Sequence, residues 1–184
     1  MTELALHILD IAKNSTRAKA KTVTVSVKVD TKLDELSIEI SDDGTGMSEE
    51  LLSAVTDPFA TTRTTRKVGL GIPLFKQSSE LAGGQFSIKS KLGEGTTTRA
   101  TYQLSHIDRV PMGDLASSMA VLIGGSPEVD FVLNYEVDGR SYLFETATVR
   151  EIMEGIPLNE PEVLNYIQEM MAENIENING GIII

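Results

Sequence analysis

Residues 36–46 read LSIEISDDGTG, and this stretch decides both the fold and the place to look for a site. Leu36, Ile38 and Ile40 alternate with polar residues, which is the period of a strand with one buried face. The same alternation places Asp42 on the interior face, where a carboxylate is costly unless hydrogen bonds are donated to it. The sequence therefore predicts a strand that ends in an inward-facing acid.

Two glycines follow that acid. Gly44 and Gly46 let the backbone turn sharply and lie close to a flat group such as a nucleotide base. The amino group of adenine is a suitable hydrogen-bond donor to Asp42. An ordinary Asp-Gly turn is the alternative interpretation, because such turns are common.

The chain opens with a predicted amphipathic helix over residues 2–18. Its apolar stripe consists of Leu4, Ile8, Ile11, Ala12 and Ser15, and its polar stripe of Glu3, His7, Asp10, Asn14 and Arg17. Asp10 and Asn14 share one face because they are four residues apart. An Asn oxygen can ligate magnesium, and an Asp can hold or deprotonate a water. A solvated polar stripe is the alternative.

Two more segments carry phosphate-binding features. Asp57-Pro58-Phe59-Ala60-Thr61-Thr62-Arg63 precedes Arg66, Lys67 and then Gly69-Leu70-Gly71 at a predicted helix start. Backbone N–H groups at a helix start favour anions, and Arg and Lys add positive charge for a triphosphate. A mobile surface loop is the alternative. The second segment, Gly93-Glu94-Gly95-Thr96-Thr97, is by itself typical of a hairpin connection.

The order of these four elements resembles the ATP-binding domain shared by DNA gyrase, heat-shock chaperone ATPases, sensor histidine kinases and mismatch-repair ATPases, the GHKL or Bergerat-fold superfamily. The resemblance covers about residues 2–104 and is strongest to histidine kinases and anti-sigma factor kinases, whose lid the segment 57–63 resembles. It implies an α+β fold, a two-layer sandwich whose mixed, mostly antiparallel sheet has helices on one face. Because the chain begins at the Asn14 helix, it also implies a domain without the hairpin that bears the phospho-acceptor histidine.

Residue by residue, the resemblance implies that Asn14 holds Mg²⁺, that Asp42 reads the adenine amino group and that residues 57–71 form a lid over the phosphates. Asp10 stands where hydrolysing members have a Glu, which makes it the candidate catalytic residue. The predicted ATP-binding residues are Asn14, Asp42, Gly44, Gly46, Met47, Phe59, Thr61, Thr62, Arg63, Lys67, Gly69, Leu70, Gly71 and Thr96.

The balance of acidic and basic residues changes near Ser105. Residues 1–104 hold 13 acidic and 13 basic side chains, whereas residues 105–184 hold 14 acidic and 3 basic ones and so supply the whole net charge of -11. We therefore predict an ATP-binding domain over 1–104 and an acidic α+β region over 105–184, which is either a small module or an extension packed on the first domain. Its charge disfavours nucleic acids and anionic membranes as partners.

The composition of the chain limits its expected location and the chemistry of its site. No apolar run approaches about 20 residues and the start lacks a signal-peptide pattern, so a cytoplasmic location is expected. The chain has no cysteine, which excludes disulfides, thiolate metal sites and a cysteine nucleophile. Three functions remain open. One is a regulatory protein kinase that binds ATP or ADP with Mg²⁺ and acts on a partner protein, and the others are a nucleotide-gated binding module with negligible turnover and a slow ATPase. A homodimer is also compatible with the resemblance.

Overall fold

A single six-stranded sheet organises the chain, as seen in a computed structural model that describes residues 2–56 and 69–184. Within those ranges the elements are α1 (Leu4–Arg17), β1 (Thr22–Asp30), β2 (Glu35–Asp42), α2 (Glu49–Val55), α3 (Gly71–Leu81), β3 (Phe86–Lys91), β4 (Gly95–Gln103), α4 (Leu115–Gly125), β5 (Asp130–Val137), β6 (Arg140–Glu145), α5 (Thr146–Met153) and α6 (Pro161–Asn179). The predicted opening helix corresponds to α1, the predicted strand that ends at Asp42 to β2 and the predicted helix start at Gly69-Leu70-Gly71 to α3, with ends that differ by about two residues.

The strand order across the sheet is β3-β4-β2-β1-β5-β6. Among the described strands, only the β1–β5 pair is parallel, with Val23 opposite Phe131, and the other four pairs are antiparallel. The predicted mixed, mostly antiparallel sheet is therefore confirmed.

One face of the sheet is apolar and covered by helices. Its fully buried side chains on the four inner strands include Val23, Val25, Val27, Val29, Leu36, Ile38, Ile40, Ala100, Tyr102, Phe131, Leu133, Tyr135 and Val137. The opposite face is polar and at least partly exposed, as at Thr24, Ser26 and Lys28. Because each large apolar side chain contributes about 1.5–3 kcal/mol on burial, this one-sided pattern fixes the register of the four inner strands. The predicted two-layer α+β sandwich is confirmed.

The acidic region continues the same sheet. β5 lies beside β1, and α4 packs on α1. The first turn of α1 also depends on this region, because the N–H groups of Leu4 and Ala5 donate to the carbonyls of Pro111 and Met112 at 2.9 and 2.8 Å. These bonds satisfy donors that a helix start leaves without partners. Of the two arrangements left open, the structure has the packed extension; the domain boundary near residue 104 stays a prediction.

No helix within residues 2–56 or 69–184 combines the length and apolar character needed to cross a lipid bilayer.

Candidate functional site

A cavity of about 400 Å³ opens beside the carboxyl-terminal half of α1. Its floor is the end of the sheet where β2 finishes and β4 begins, and its sides come from α2 and the start of α3. The apolar wall consists of Ile11, Ile40, Leu51, Val55 and Ile72. The polar lining consists of Asn14, Ser15, Arg17, Asp42, Thr45, Thr96 and Thr98. An apolar cleft of this size with a few polar groups is typical of small-molecule sites.

Asp42 is the acid at the floor of the cavity. It lies on the same strand face as the buried Ile40, and its side chain is half-buried. Its two carboxylate oxygens accept hydrogen bonds from the Ser15 hydroxyl at 2.6 Å and from the Gly44 N–H at 2.9 Å. A carboxylate has about four acceptor positions, so capacity remains for a ligand donor.

The two glycines beyond Asp42 allow a close backbone approach. A side chain at Gly44 would place its Cβ 2.8 Å from the carbonyl oxygen of Ala18, at the end of α1. Gly46 has a φ of +65°, and a Cβ there would lie 2.0 Å from the carbonyl oxygen of Lys91. Both positions therefore need glycine to hold the turn between α1 and the β3–β4 connection.

Asn14 faces the same cavity from α1, and its side chain is half-buried. Arg17 lies one helical turn further along and donates a long hydrogen bond of 3.4 Å from Nη1 to Asn14 Oδ1. The side-chain oxygen of Asn14 is thus already presented to a positively charged group. A carboxamide oxygen is a suitable ligand for Mg²⁺, and here the ion would take the place of the long hydrogen bond from Arg17.

Asp10, the candidate catalytic residue, is exposed and lies outside the set of described residues that line the cavity. It lies beside the first residue of α3: a Cβ built on Gly71 would lie 3.4 Å from Asp10 Cβ and 3.6 Å from Asp10 Oδ2. These are ordinary contact distances, so the approach of α3 to α1 does not require a glycine at this position. Asp10 stays a candidate base only if a ligand extends to this edge.

Thr96 is joined to Asp42 through the sheet. The two residues are direct cross-strand partners of the antiparallel β2–β4 pair, so their side chains project from the same face. Gly95 precedes Thr96 with a φ of +109°, and a Cβ there would lie 1.9 Å from the carbonyl oxygen of Asp42. The glycine turn is therefore part of the site and more than a hairpin connection.

The structure gathers six of the predicted binding residues around the cavity: Asn14, Asp42, Gly46, Met47, Gly69 and Thr96. Three others do not line it: Gly44 is buried beneath the turn, Leu70 is 61% exposed and Gly71 packs on Asp10. The remaining five, Phe59, Thr61, Thr62, Arg63 and Lys67, lie outside the described residues.

Sequence reasoning missed part of the cavity wall. Ser15 was assigned only to the apolar stripe of the opening helix, yet its hydroxyl bonds Asp42. Ile40 and Thr98 were also missed, although each lies two residues from a predicted site residue on the same strand face. Arg17 could have been found from its three-residue spacing to Asn14.

The prediction that His7 lies on the polar stripe is wrong. His7 is 2% exposed and stacks on Phe75 of α3, with ring centroids 5.6 Å apart. Its Nδ1 is buried without a hydrogen-bond partner among the described residues. Burial lowers the pKa of His7 to about 4, because a charged imidazolium would be poorly solvated there. His7 therefore joins α1 to α3 as a neutral packing residue.

Comparison with known proteins identifies a family and several related chains. A family model described as "Histidine kinase-, DNA gyrase B-, and HSP90-like ATPase" matches residues 2–106. The Caulobacter vibrioides "Non-motile and phage-resistance protein" is 31% identical over 113 residues, covering 58% of this chain and 13% of that protein. "Sensor protein DegM" of a Bacillus species is 32% identical over 89 residues, covering 48% of this chain and 24% of that protein. The chain thus spans less than a quarter of the length of these relatives.

Among solved structures, the ATPase domain of Aquifex aeolicus MutL complexed with ADP is similar, with a TM-score of 0.57 and 15% identity. The match covers 84% of this chain and 70% of that one, and it therefore includes part of the acidic region. At this identity the likeness shows the shared fold.

Proposed function

Because the chain belongs to the family of histidine kinase-, DNA gyrase B- and HSP90-like ATPases, we propose that it binds ATP with Mg²⁺ in the cavity beside α1 and acts as a cytoplasmic regulatory protein. The observation that supports this most is that Asn14 and Asp42 line the same cavity of about 400 Å³. Asn14 lies on α1 and Asp42 on β2. The carboxylate of Asp42 suits the amino group of the base, and the carboxamide of Asn14 suits a metal ion at the phosphates.

The base lies at the Asp42 end in this proposal. Asp42 accepts a hydrogen bond from the exocyclic amino group of adenine, while Ser15 and Gly44 hold the carboxylate in place from the other side. The apolar wall, with Ile40 and Ile72, covers the faces of the ring. Guanine has a carbonyl oxygen where adenine has this amino group. An ionised carboxylate cannot donate a hydrogen bond to that oxygen, so Asp42 favours adenine over guanine.

The phosphates lie at the Asn14 end. Asn14 holds the Mg²⁺ ion, which neutralises charge on the phosphate oxygens. Arg17 is within hydrogen-bond reach of Asn14 and adds a second positive charge. The backbone N–H groups at the start of α3, from Gly71, favour an anion on the same side. Residues 57–71, with Arg63 and Lys67, supply the lid in this proposal.

The activity that we propose is phosphoryl transfer to a partner protein. The related sequences include a protein named as a sensor protein, and positioning plus charge stabilisation is most of what phosphoryl transfer requires from a protein. In this proposal the acidic region reports the nucleotide state to the partner, because α4 packs directly on α1.

A radiolabelled-ATP assay with candidate partner proteins tests the kinase activity. Label that appears on a partner and depends on Asn14 supports it. If the chain binds ATP but no protein becomes labelled, the kinase form is excluded, and the binding module and the slow ATPase remain. An Asp42→Asn variant should also lose the label, and its matched control is Asp43→Asn, which changes an exposed neighbour whose carboxylate accepts hydrogen bonds from the backbone of Lys21 and Thr22.

The position of Asp10 favours the alternative, a nucleotide-gated binding module with negligible turnover. Asp10 is exposed and packs on Gly71, and Asp42 is the only carboxylate among the described residues that line the cavity. Steady-state phosphate release decides between this module and a slow ATPase. Equal rates in the wild-type chain and in Asp10→Ala would favour the module, whereas a rate lost in the variant would assign the role of base to Asp10.

A further inference from the structure

The Ser90 hydroxyl lies outside the cavity and connects two glycine turns at the cavity floor. The first turn contains residues 44–46 and the second contains residues 93–95. Ser90 lies near the end of β3, is half-buried and is the direct cross-strand partner of Thr96. Its Oγ accepts a hydrogen bond from the N–H of Met47 at 2.8 Å and donates to the carbonyl of Gly95 at 2.9 Å. The Oγ atoms of Ser90 and Thr96 are 2.8 Å apart and also share a hydrogen bond.

These contacts use the whole hydrogen-bonding capacity of the side chain. A serine hydroxyl has one donor and two acceptor positions. The three partners of Ser90 all belong to the protein, and two of them, Met47 and Thr96, line the cavity. Ser90 itself does not line it, so its effect on a ligand must pass through those two residues.

The same two turns also approach each other through their backbones. The N–H of Gly93 donates to the carbonyl of Thr45 at 2.7 Å. Gly46 lies so close to Lys91 that a Cβ would come within 2.0 Å of the Lys91 carbonyl oxygen. The Ser90 side chain lies at this junction. It binds the N–H of Met47, the residue through which the chain passes from the first glycine turn toward α2.

From this geometry we infer that Ser90 is a positioning residue of the nucleotide site, which sets the base-binding end by fixing Met47 and Thr96 relative to Asp42. The row Ser90, Thr96 and Asp42 runs across three neighbouring strands on one face of the sheet. The inference depends on the proposed nucleotide binding. It assigns Ser90 no contact with the ligand and no part in holding the metal ion, which lies at the Asn14 end.

The test is calorimetric titration of the full chain with adenosine, ADP and Mg-ATP. Ser90→Ala leaves the half-buried N–H of Met47 without its partner and frees the Thr96 hydroxyl, so all three ligands should bind roughly tenfold more weakly. The factor should be the same for each ligand, and the ratio of ATP affinities with and without Mg²⁺ should stay that of the wild-type chain. Ser90→Thr keeps the hydroxyl and should remain close to wild-type affinity.

Two controls separate positioning from a general loss of stability. Ser87→Ala changes an exposed serine on the same strand and should leave all affinities unchanged. In a Thr96→Val background, Ser90→Ala should cost less than in the wild-type chain, because one of its two routes, the Thr96 hydroxyl, is already gone and only the contact with Met47 remains to be lost. Circular dichroism checks that each variant is folded.

The results that would overturn the inference are distinct from those that would overturn the proposed function. Unchanged adenosine affinity in folded Ser90→Ala, or an undiminished loss in the Thr96→Val background, overturns the role of Ser90 only. Should Ser90→Ala fail to fold, Thr96→Val alone must weaken adenosine binding, and wild-type affinity in that variant overturns the inference. A wild-type chain that binds none of the three ligands overturns the proposed function, and this inference with it.

Discussion

The Ser15 hydroxyl donates to Asp42 Oδ2 across 2.6 Å, which joins the buried face of α1 to the end of β2. Ser15 is 4% exposed and is adjacent in sequence to Asn14, which faces the same cavity. One helix therefore supplies both the residue that orients the floor acid and the residue proposed to hold the metal ion. This contact helps to set the relative positions of Asn14 and Asp42.

Replacement of Asp42 by Asn should weaken adenine nucleotide binding by roughly 1–3 kcal/mol, since a charge-assisted hydrogen bond to the base is lost. Isothermal titration calorimetry with ADP measures this. Asp43→Asn, one residue further on, is the control and should bind ADP as the wild-type chain does. Unchanged affinity in Asp42→Asn would place the base elsewhere.

Ser15→Ala should have a smaller effect in the same direction, about 1 kcal/mol or somewhat less on ADP affinity. The variant keeps the Asp42 charge and the hydrogen bond from Gly44, but the carboxylate loses the donor that orients it. In the double variant of Ser15→Ala with Asp42→Asn, the loss of ADP affinity should be smaller than the sum of the losses in the two single variants. Full additivity would show that Ser15 does not act through Asp42.

Asn14→Ala should remove most of the Mg²⁺-dependent part of ATP affinity and leave adenosine binding nearly unchanged. The physical reason is that the carboxamide oxygen is the proposed metal ligand at the phosphate end. Titrations with and without Mg²⁺, on the wild-type chain and the variant, measure the difference. If Mg²⁺ strengthens ATP binding equally in both proteins, the metal is held by other groups.

Acid should destabilise the fold through His7. Its pKa is lowered from 6.5 to about 4 in the folded chain, so the unfolded chain binds the proton more readily between those values. Stability is therefore full above about pH 6.5 and falls as the pH is lowered toward 4. Urea unfolding midpoints across this range should decline less steeply in His7→Leu than in the wild-type chain. Parallel declines would show that other groups dominate the acid sensitivity.

Much of the fold was accessible to sequence reasoning, because its signals are local. The alternation that ends at Asp42 gave the strand and the inward direction of the acid, and the structure agrees at both points. The four-residue spacing of Asp10 and Asn14 correctly placed both on α1. It did not show that, of the two, Asn14 lines the cavity and Asp10 lies outside it beside the start of α3, because the spacing of two residues on a helix does not show which other elements lie next to them.

Contacts between distant segments could not be read from periodicity. β5 pairs in parallel with β1, from which it is separated by about a hundred residues, and an alternating pattern does not specify which strand lies alongside. His7 was misplaced for the same reason. A polar helix position becomes buried only when another element covers it, and Phe75 of α3 does so. Ser90 gave no sequence signal, since its partners are mainly backbone groups of two separate turns.

A crystal structure of the chain with Mg²⁺ and a non-hydrolysable ATP analogue tests the central claim most directly. The account predicts the adenine amino group within hydrogen-bond distance of Asp42 and the metal ion coordinated by the side-chain oxygen of Asn14. An analogue bound with its base away from Asp42, or a metal ion without Asn14 among its ligands, would contradict it.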